Sequence, residues 1–568
     1  MKLRSSAAGG RPGRALGRRQ ELAALGRRTR QVILLAALTG LITGAGVSLF
    51  EHLASGLAFD HLTDTPLAVQ AVAPLIGLVL AALSLRWLAG GASPATSDEY
   101  IRNFHEREHR LATRPVLGRL LASVFTLGSG GALGYEGPSI YLGASAGSLL
   151  QHRLSRFFSR DDAKVLLVAG AAAGVAAIFK APATGAVFAL EVPYQDDLAR
   201  RMLLPALFGA GVSYVTFVSL NATTPLLPIQ GAPPFDFRDL GGAVLLGILG
   251  GAGARAFAFL LRRAKQVAGR VPSVVGAVVA GVALGGLAVA SHAIYGTALT
   301  LGAGYRTVNY AVNPRHALAL ILALFVLRAV ATAVTVAGGG AGGLFIPLVI
   351  EGALLGRAVG AVVGQPNSSL FPVIGIAAFL GAGYRVPLAA VMFVAESTGR
   401  PGFVVPGLLA AVVAQLMMGR SSVSTYQVAA RAGHLERRFE LPITTALLTG
   451  GLTVSPDATV AEFFWHHLVG NRQTSVPVVD GATYLGMMRL DEIDAVPRAE
   501  WDDTLVEQVM RSDIPTALPG WNLGQALATM EKADVDRLPV VDADGLFVGV
   551  VSTGQILKLD EILEQTES

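Results

Sequence analysis

Between residues 31 and 419 the chain is a succession of apolar runs, many of them cut short by glycine and proline. Runs over 32–50, 67–88, 240–261, 274–290 and 317–336 approach the roughly 20 apolar residues that a straight helix needs to cross a bilayer core. Those over 116–127, 139–150, 163–179, 184–192, 347–363, 371–381 and 387–395 are shorter or interrupted. In water a broken helix is ordinary. In a membrane, non-helical backbone is tolerated only where protein or a water-filled path satisfies it, so broken helices there mark a substrate or ion site. A hydrophobic fraction of 52%, charged residues at only 15% and a mean hydropathy of +0.53 exclude a soluble enzyme of this length. The expected fold is an all-α polytopic membrane domain over 31–435. The 67 glycines suit close helix approach and helix breaks inside it.

Charge orients the chain. Arg11, Arg14, Arg18, Arg19, Arg27, Arg28 and Arg30 crowd into segment 1–30, just before the first apolar run. The positive-inside rule places that basic segment in the cytoplasm, and it explains the net charge of +5 without any nucleic-acid partner. The first apolar run lacks a convincing cleavage site and reads as a span rather than a signal peptide. With no cysteine, disulfides, thiolate metal sites and thiol nucleophiles are excluded. The few histidines show no metal-ligand spacing, and no nucleophile–base pair stands out. Neither catalysis nor a bound metal is expected.

The membrane part repeats internally. Phe179-Lys-Ala-Pro-Ala-Thr-Gly-Ala-Val-Phe-Ala-Leu-Glu191 matches Tyr384-Arg-Val-Pro-Leu-Ala-Ala-Val-Met-Phe-Val-Ala-Glu396, with a base, a proline, a phenylalanine and a glutamate at equal offsets. At nearly the same separation, Gly131-Ala-Leu-Gly-Tyr-Glu-Gly-Pro138 matches Gly340-Ala-Gly-Gly-Leu-Phe-Ile-Pro347. Two matched pairs in one order argue for a duplicated unit, with the site at the repeat interface. The sequence leaves the relative orientation of the copies open. Beyond residue 436 the chain turns polar and repeats again. Ser475-Val-Pro-Val-Val-Asp-Gly with Leu485-Gly-Met-Met-Arg parallels Arg537-Leu-Pro-Val-Val-Asp with Val548-Gly-Val-Val-Ser, as two small α/β units over 441–498 and 503–561.

The chemistry concentrates in Gly128-Ser-Gly-Gly-Ala-Leu-Gly-Tyr-Glu-Gly-Pro138. Glycines leave backbone N–H groups unshielded, and the proline sits where a helix begins. A helix N-terminus offers orphan donors and partial positive charge, which together hold an anion. Gly343-Leu-Phe-Ile-Pro347 repeats the design. A carboxylate there, Glu136, can occupy the site as a tethered anion and leave when protonated or displaced; the plainer alternative is a helix-capping role.

These motifs resemble those of the CLC family of chloride channels and proton-coupled chloride transporters, and the tail resembles paired CBS domains. Gly134-Tyr-Glu-Gly-Pro138 is similar to the family's Gly-(Lys/Arg)-Glu-Gly-Pro, and Gly343-Leu-Phe-Ile-Pro347 to its Gly-x-Phe-x-Pro. The resemblance implies an inverted-repeat membrane domain followed by a tandem CBS domain, assembled as a homodimer. It implies a multi-pass protein of the plasma or inner membrane, embedded in the lipid bilayer, with the N-terminus and CBS domains cytoplasmic. It gives Glu136 the gating role and puts Gly134, Tyr135, Gly137 and the amides of Leu344, Phe345 and Ile346 around the anion.

Several positions depart from the family pattern. Tyr135 replaces a basic residue beside the gate. Gly90-Gly-Ala-Ser-Pro94 puts Gly91 at the anion-coordinating serine and leaves Ser93 as its neighbour. The tyrosine that closes the inner side falls on Tyr426, or on Ser424 in a shifted register. The internal glutamate that accepts protons in coupled members is Val192 here, which favours passive chloride conduction over the alternative, a proton-coupled chloride antiporter or a transporter of another small anion such as fluoride or nitrate. Glu191 and Glu396 are expected to pair with backbone amides or a nearby base. CBS pairs bind adenine nucleotides through an Asp, and the matching positions are Ser552 and Gln555 in the second copy. A dimer-bracing tail without cofactor is the favoured reading.

Overall fold

The computed structural model describes residues 12–106, 111, 114–154, 164–221, 236–313, 316–365, 368–429, 439–450, 452–471 and 473–567. The chain divides at Ala430/Arg431 into two compact units. The basic segment expected over 1–30 lies partly outside these residues.

The first unit is helical throughout. Its helices are α1 (Pro12–Glu51), α2 (Leu67–Trp87), α3 (Ser97–His105), α4 (Arg114–Gly128), α5 (Glu136–Arg153), α6 (Val165–Phe179), α7 (Pro182–Glu191) and α8 (Leu203–Leu220). Then follow α9 (Phe237–Arg270), α10 (Ser273–Tyr295), α11 (Tyr305–Val312), α12 (Leu318–Ala337), α13 (Phe345–Val362), α14 (Leu370–Tyr384), α15 (Pro387–Thr398) and α16 (Val404–Met418). Among the described residues, 8 helices are long and apolar enough to cross a membrane. On α10, Val275, Val279 and Val282 face outward, while Ala277, Gly281, Gly285 and Ala288 are buried against α2. Large apolar residues outside and small ones at the helix seam are what a lipid solvent selects, because association there depends on close backbone packing. The shorter α6 and α14 are apolar on every side and buried along their whole length.

Helices α1–α8 recur in order as α9–α16. Packing of α5 on α6, α6 on α8 and α1 on α6 is matched by α13 on α14, α14 on α16 and α9 on α14. Both α6 and α14 end on a basic residue in the left-handed conformation, Lys180 at φ 54° and Arg385 at φ 59°. In each case a proline two residues on starts the next helix, at its first turn where the missing N–H is not needed.

The copies exchange contacts reciprocally. The Glu191 carboxylate, at the end of α7, accepts from the Leu388 and Ala389 amides at 3.1 and 2.9 Å, capping α15. The Glu396 carboxylate, at the same point of α15, accepts from Ala183 and Thr184 amides at 2.9 and 2.7 Å, capping α7. Each acid thus satisfies the orphan donors of the other copy, as a local two-fold axis demands. The backbone-amide role expected for these two acids is what the structure shows. Arg385 pairs with Asp196 instead, at 2.5 Å.

The second unit holds two antiparallel pairs, β1 (Ser475–Asp480) with β2 (Thr483–Arg489), and β3 (Arg537–Val541) with β4 (Phe547–Ser552). Each pair carries a register shift at the same point of its Pro-Val-Val run, between Val478 and Val479 and between Val540 and Val541. The segment at Leu448, ahead of β1, bridges β4 at Val550, while Arg511, ahead of β3, bridges β2 at Met487. Each copy of this small repeat thus lends a bridging residue to the strand pair of the other. Helix α17 (Leu523–Ala533) opens on a reciprocal cap between Asn522 and Gln525. At the start of the last helix, α18 (Thr553–Glu567), Ser552 N–H donates to Gln555 Oε1 at 3.1 Å and Gln555 N–H to Ser552 Oγ at 3.3 Å. Ser552 and Gln555, the positions expected to match a nucleotide site, thus cap a helix.

Candidate functional site

The two glycine motifs meet at the local axis. Gly134 N–H donates to the Gly343 carbonyl at 2.9 Å and Gly343 N–H to the Gly134 carbonyl at 2.8 Å, a two-residue antiparallel bridge. It sets the N-termini of α5 and α13 side by side. Glu136 is the first residue of α5 and is fully buried. Its Oε1 accepts from the Phe345 amide at 2.6 Å, and the Ile346 amide and its own amide also face the carboxylate. Its Oε2 has no hydrogen-bond partner among the described residues. A Cβ on either Gly134 or Gly343 would fall on this carboxylate. That spatial demand, rather than turn geometry, requires glycine at both positions. A Cβ on Gly137 would meet the Thr96 hydroxyl and the Gly343 amide.

The other expected residues divide into those near this carboxylate and those away from it. Phe345 and Ile346 present their amides to it, and Leu344 presents its amide to the Tyr384 hydroxyl. The Tyr135 side chain turns away: it packs on Phe50 and Tyr305, ring centroids 6.3 and 6.5 Å apart, and its hydroxyl meets Ser55. Bulk and a hydroxyl thus stand where the family pattern has a base. Ser93 has an exposed side chain, and its carbonyl accepts from Arg119 Nε at 3.0 Å. Tyr426 is 42% exposed on the wall of the adjoining cavity, and the alternative, Ser424, donates its hydroxyl to Asp98 Oδ1 at 2.9 Å.

Two residues that sequence reasoning missed lie closer. The buried Ser97 opens α3, and its side chain hydrogen-bonds the hydroxyl of the fully buried Tyr384. Helix α3 starts at Ser97, beyond the Gly90-Gly-Ala-Ser-Pro94 motif in which Gly91 holds the place of the family's serine and Ser93 is its neighbour. Tyr384 ends α14 opposite Phe179 in the repeat, and both rings join a cluster around Phe345 and Phe188. The signal was present in the sequence: Tyr384 opens the very segment that matches Phe179, and it carries the only hydroxyl of that pair.

A cavity of about 540 Å³ adjoins Tyr384, lined by Ser93, Thr96, Asp98, Lys265 and Gly340 among others. On its wall Lys265 Nζ donates to Asp98 Oδ2 at 2.7 Å and to Thr425 Oγ1 at 3.1 Å. Val192 is buried at the end of α7, and its carbonyl accepts from Gln427 Nε2 at 2.8 Å. Chemically, the arrangement is a carboxylate held on helix-terminal amides, with a largely apolar cavity carrying a few polar and charged side chains beside Tyr384.

Comparisons with known proteins agree with this fold. Residues 76–419 match the family model described as voltage gated chloride channel, and residues 506–561 match the CBS domain model. The H(+)/Cl(-) exchange transporter ClcA of Salmonella typhi is 27% identical over 435 residues, covering 72% of this chain and 91% of the relative. Its namesake from Citrobacter koseri is 26% identical over 417 residues, covering 69% and 87%. Among solved structures, a CLC-type fluoride/proton antiporter superposes with a TM-score of 0.62 at 22% identity, covering 71% of this chain and 98% of that one. A eukaryotic CLC transporter superposes with a TM-score of 0.57 at 17% identity, covering 93% and 98%.

Proposed function

The chain belongs to the voltage gated chloride channel family, and from that premise we propose that it exchanges chloride for protons across the membrane, with Glu136 as the moving gate. The family performs anion transport; the coupling to protons is the finer reading. One observation carries it: a carboxylate sits on the Phe345 amide at 2.6 Å, in the place an anion would take. A tethered anion that competes with a free one ties anion passage to its own protonation, since only the neutral or displaced side chain leaves the amides. Passive conduction, favoured by Val192 alone, gives way because curated relatives over most of the chain are named as H(+)/Cl(-) exchangers.

In this reading the amides of Phe345 and Ile346, with the hydroxyls of Ser97 and Tyr384, strip and replace the hydration of chloride. The protein works as a homodimer in a lipid bilayer, with its N-terminus and CBS domains in the cytoplasm. The test is reconstitution in liposomes under a chloride gradient, with chloride and pH electrodes read together and fluoride and nitrate run in parallel. Uphill proton movement driven by chloride is expected. Chloride flux without protons would return the passive reading, and flux of fluoride alone would overturn the substrate.

A further inference from the structure

Val192 leaves the inner end of a proton route without an acid, yet the backbone beside it meets a histidine. Helix α3 ends at His105, whose Nε2 lies 2.8 Å from the carbonyl of Pro193, the residue after Val192. A carbonyl only accepts, so Nε2 carries the hydrogen and Nδ1 of the neutral ring keeps the proton-accepting lone pair. The ring stands edge-on to Tyr194, centroids 5.5 Å apart, and to Phe104 at 5.1 Å, and it is only partly buried. The ionisable groups around it are Lys164, ahead of α6, which also lies 4.7 Å over the Phe104 ring, Tyr194, and Arg102 and Glu106 of its own segment, which pair with each other at 3.0 Å.

A second feature lies between this point and the gate. Gln427 Nε2 donates to the carbonyls of Val192 at 2.8 Å, Tyr384 at 2.7 Å and Tyr194 at 3.4 Å. That fixes the amide orientation and leaves Gln427 Oε1 buried with no partner among the described residues. A buried acceptor of this kind calls for a donor, and a bound water is the group of fitting size and chemistry. From Tyr384 the hydroxyl reaches the Leu344 amide, next to the Phe345 amide that holds Glu136.

We propose that His105 loads protons at the inner end of the path to Glu136, in the place where Val192 cannot. Nδ1 takes a proton from cytoplasmic water, and the imidazolium returns to neutral by giving one to a water held at Gln427 Oε1, which carries it toward the gate; no electrons change hands. The inference rests on the exchange reading above. Liposomes carrying the full chain separate the two. Wild type is expected to drive protons uphill. H105Q keeps a donor for the Pro193 carbonyl but cannot accept a proton, and its ratio of proton to chloride flux should fall about tenfold or more. H105E restores an acceptor, and its coupled flux should return with a pH midpoint moved down by about two units, the difference between the two side chains. If wild type moves chloride without protons, the exchange reading fails and His105 falls with it. If wild type is coupled and H105Q keeps the same flux ratio, His105 alone is overturned. Should H105Q lose both fluxes, H105E decides: coupling at a displaced pH supports the assignment, and its absence refutes it.

Discussion

Removing the gate carboxylate tests whether it competes with chloride. The contact to the Phe345 amide is short, 2.6 Å, and ionic on one side. Hydrogen bonds of that kind contribute about 2 kcal/mol net. A site closed by about 2 kcal/mol is free in about 3% of molecules, and affinity for a competing ligand is weakened by the same factor. Glu136→Ala should therefore tighten chloride binding by about 30-fold. Glu136→Gln keeps a neutral acceptor worth about 1 kcal/mol, so it should tighten binding by only about fivefold. Acidification neutralises the wild-type side chain and should move wild type toward the Gln variant, while both variants stay flat with pH. Titration calorimetry of chloride into detergent-solubilised protein reads all three. Binding by Glu136→Ala within about twofold of wild type would show that the carboxylate does not occupy the anion's place.

Three further expectations concern the scaffold and the inner side. Glu396→Ala strips the caps from Ala183, Thr184 and the Thr184 hydroxyl. It should cost about 3 kcal/mol, seen as a lowered melting temperature in detergent, and an unchanged melt would refute the reciprocal-cap argument. Ser97→Ala and Tyr384→Phe should each weaken chloride binding by about threefold to tenfold, whereas Tyr426→Phe should not; the reverse order would restore the inner site to Tyr426. Gly352→Ala places a methyl against the backbone of Gly375, where the paired helices α13 and α14 touch, while Gly211→Ala enters open space. The first should destabilise by about 2 kcal/mol and the second should not, measured by thermal unfolding of the two variants side by side.

Much of this molecule is legible along the chain itself. Apolar runs announce the spans, because the bilayer sets their length. The paired motifs at Gly131 and Gly340 and at Phe179 and Tyr384 announce the duplication, because equal chemistry at equal offsets survives in one dimension. Glu136 stands out because a carboxylate beside unshielded amides is costly unless it binds them. What tertiary structure alone decides is how the copies meet. Glu191 caps the helix that begins at Pro387, and Glu396 the one that begins at Pro182, across a separation in sequence that no local pattern records. Tyr426 and Ser93 follow from register, whereas where α3 starts and α14 stops is what places Ser97 and Tyr384 together. Likewise His105 is unremarkable along the chain, and only the fold brings it to the carbonyl beside Val192. Helix boundaries and cross-repeat contacts depend on packing free energy summed over both halves, whereas spans and motifs are properties of single segments.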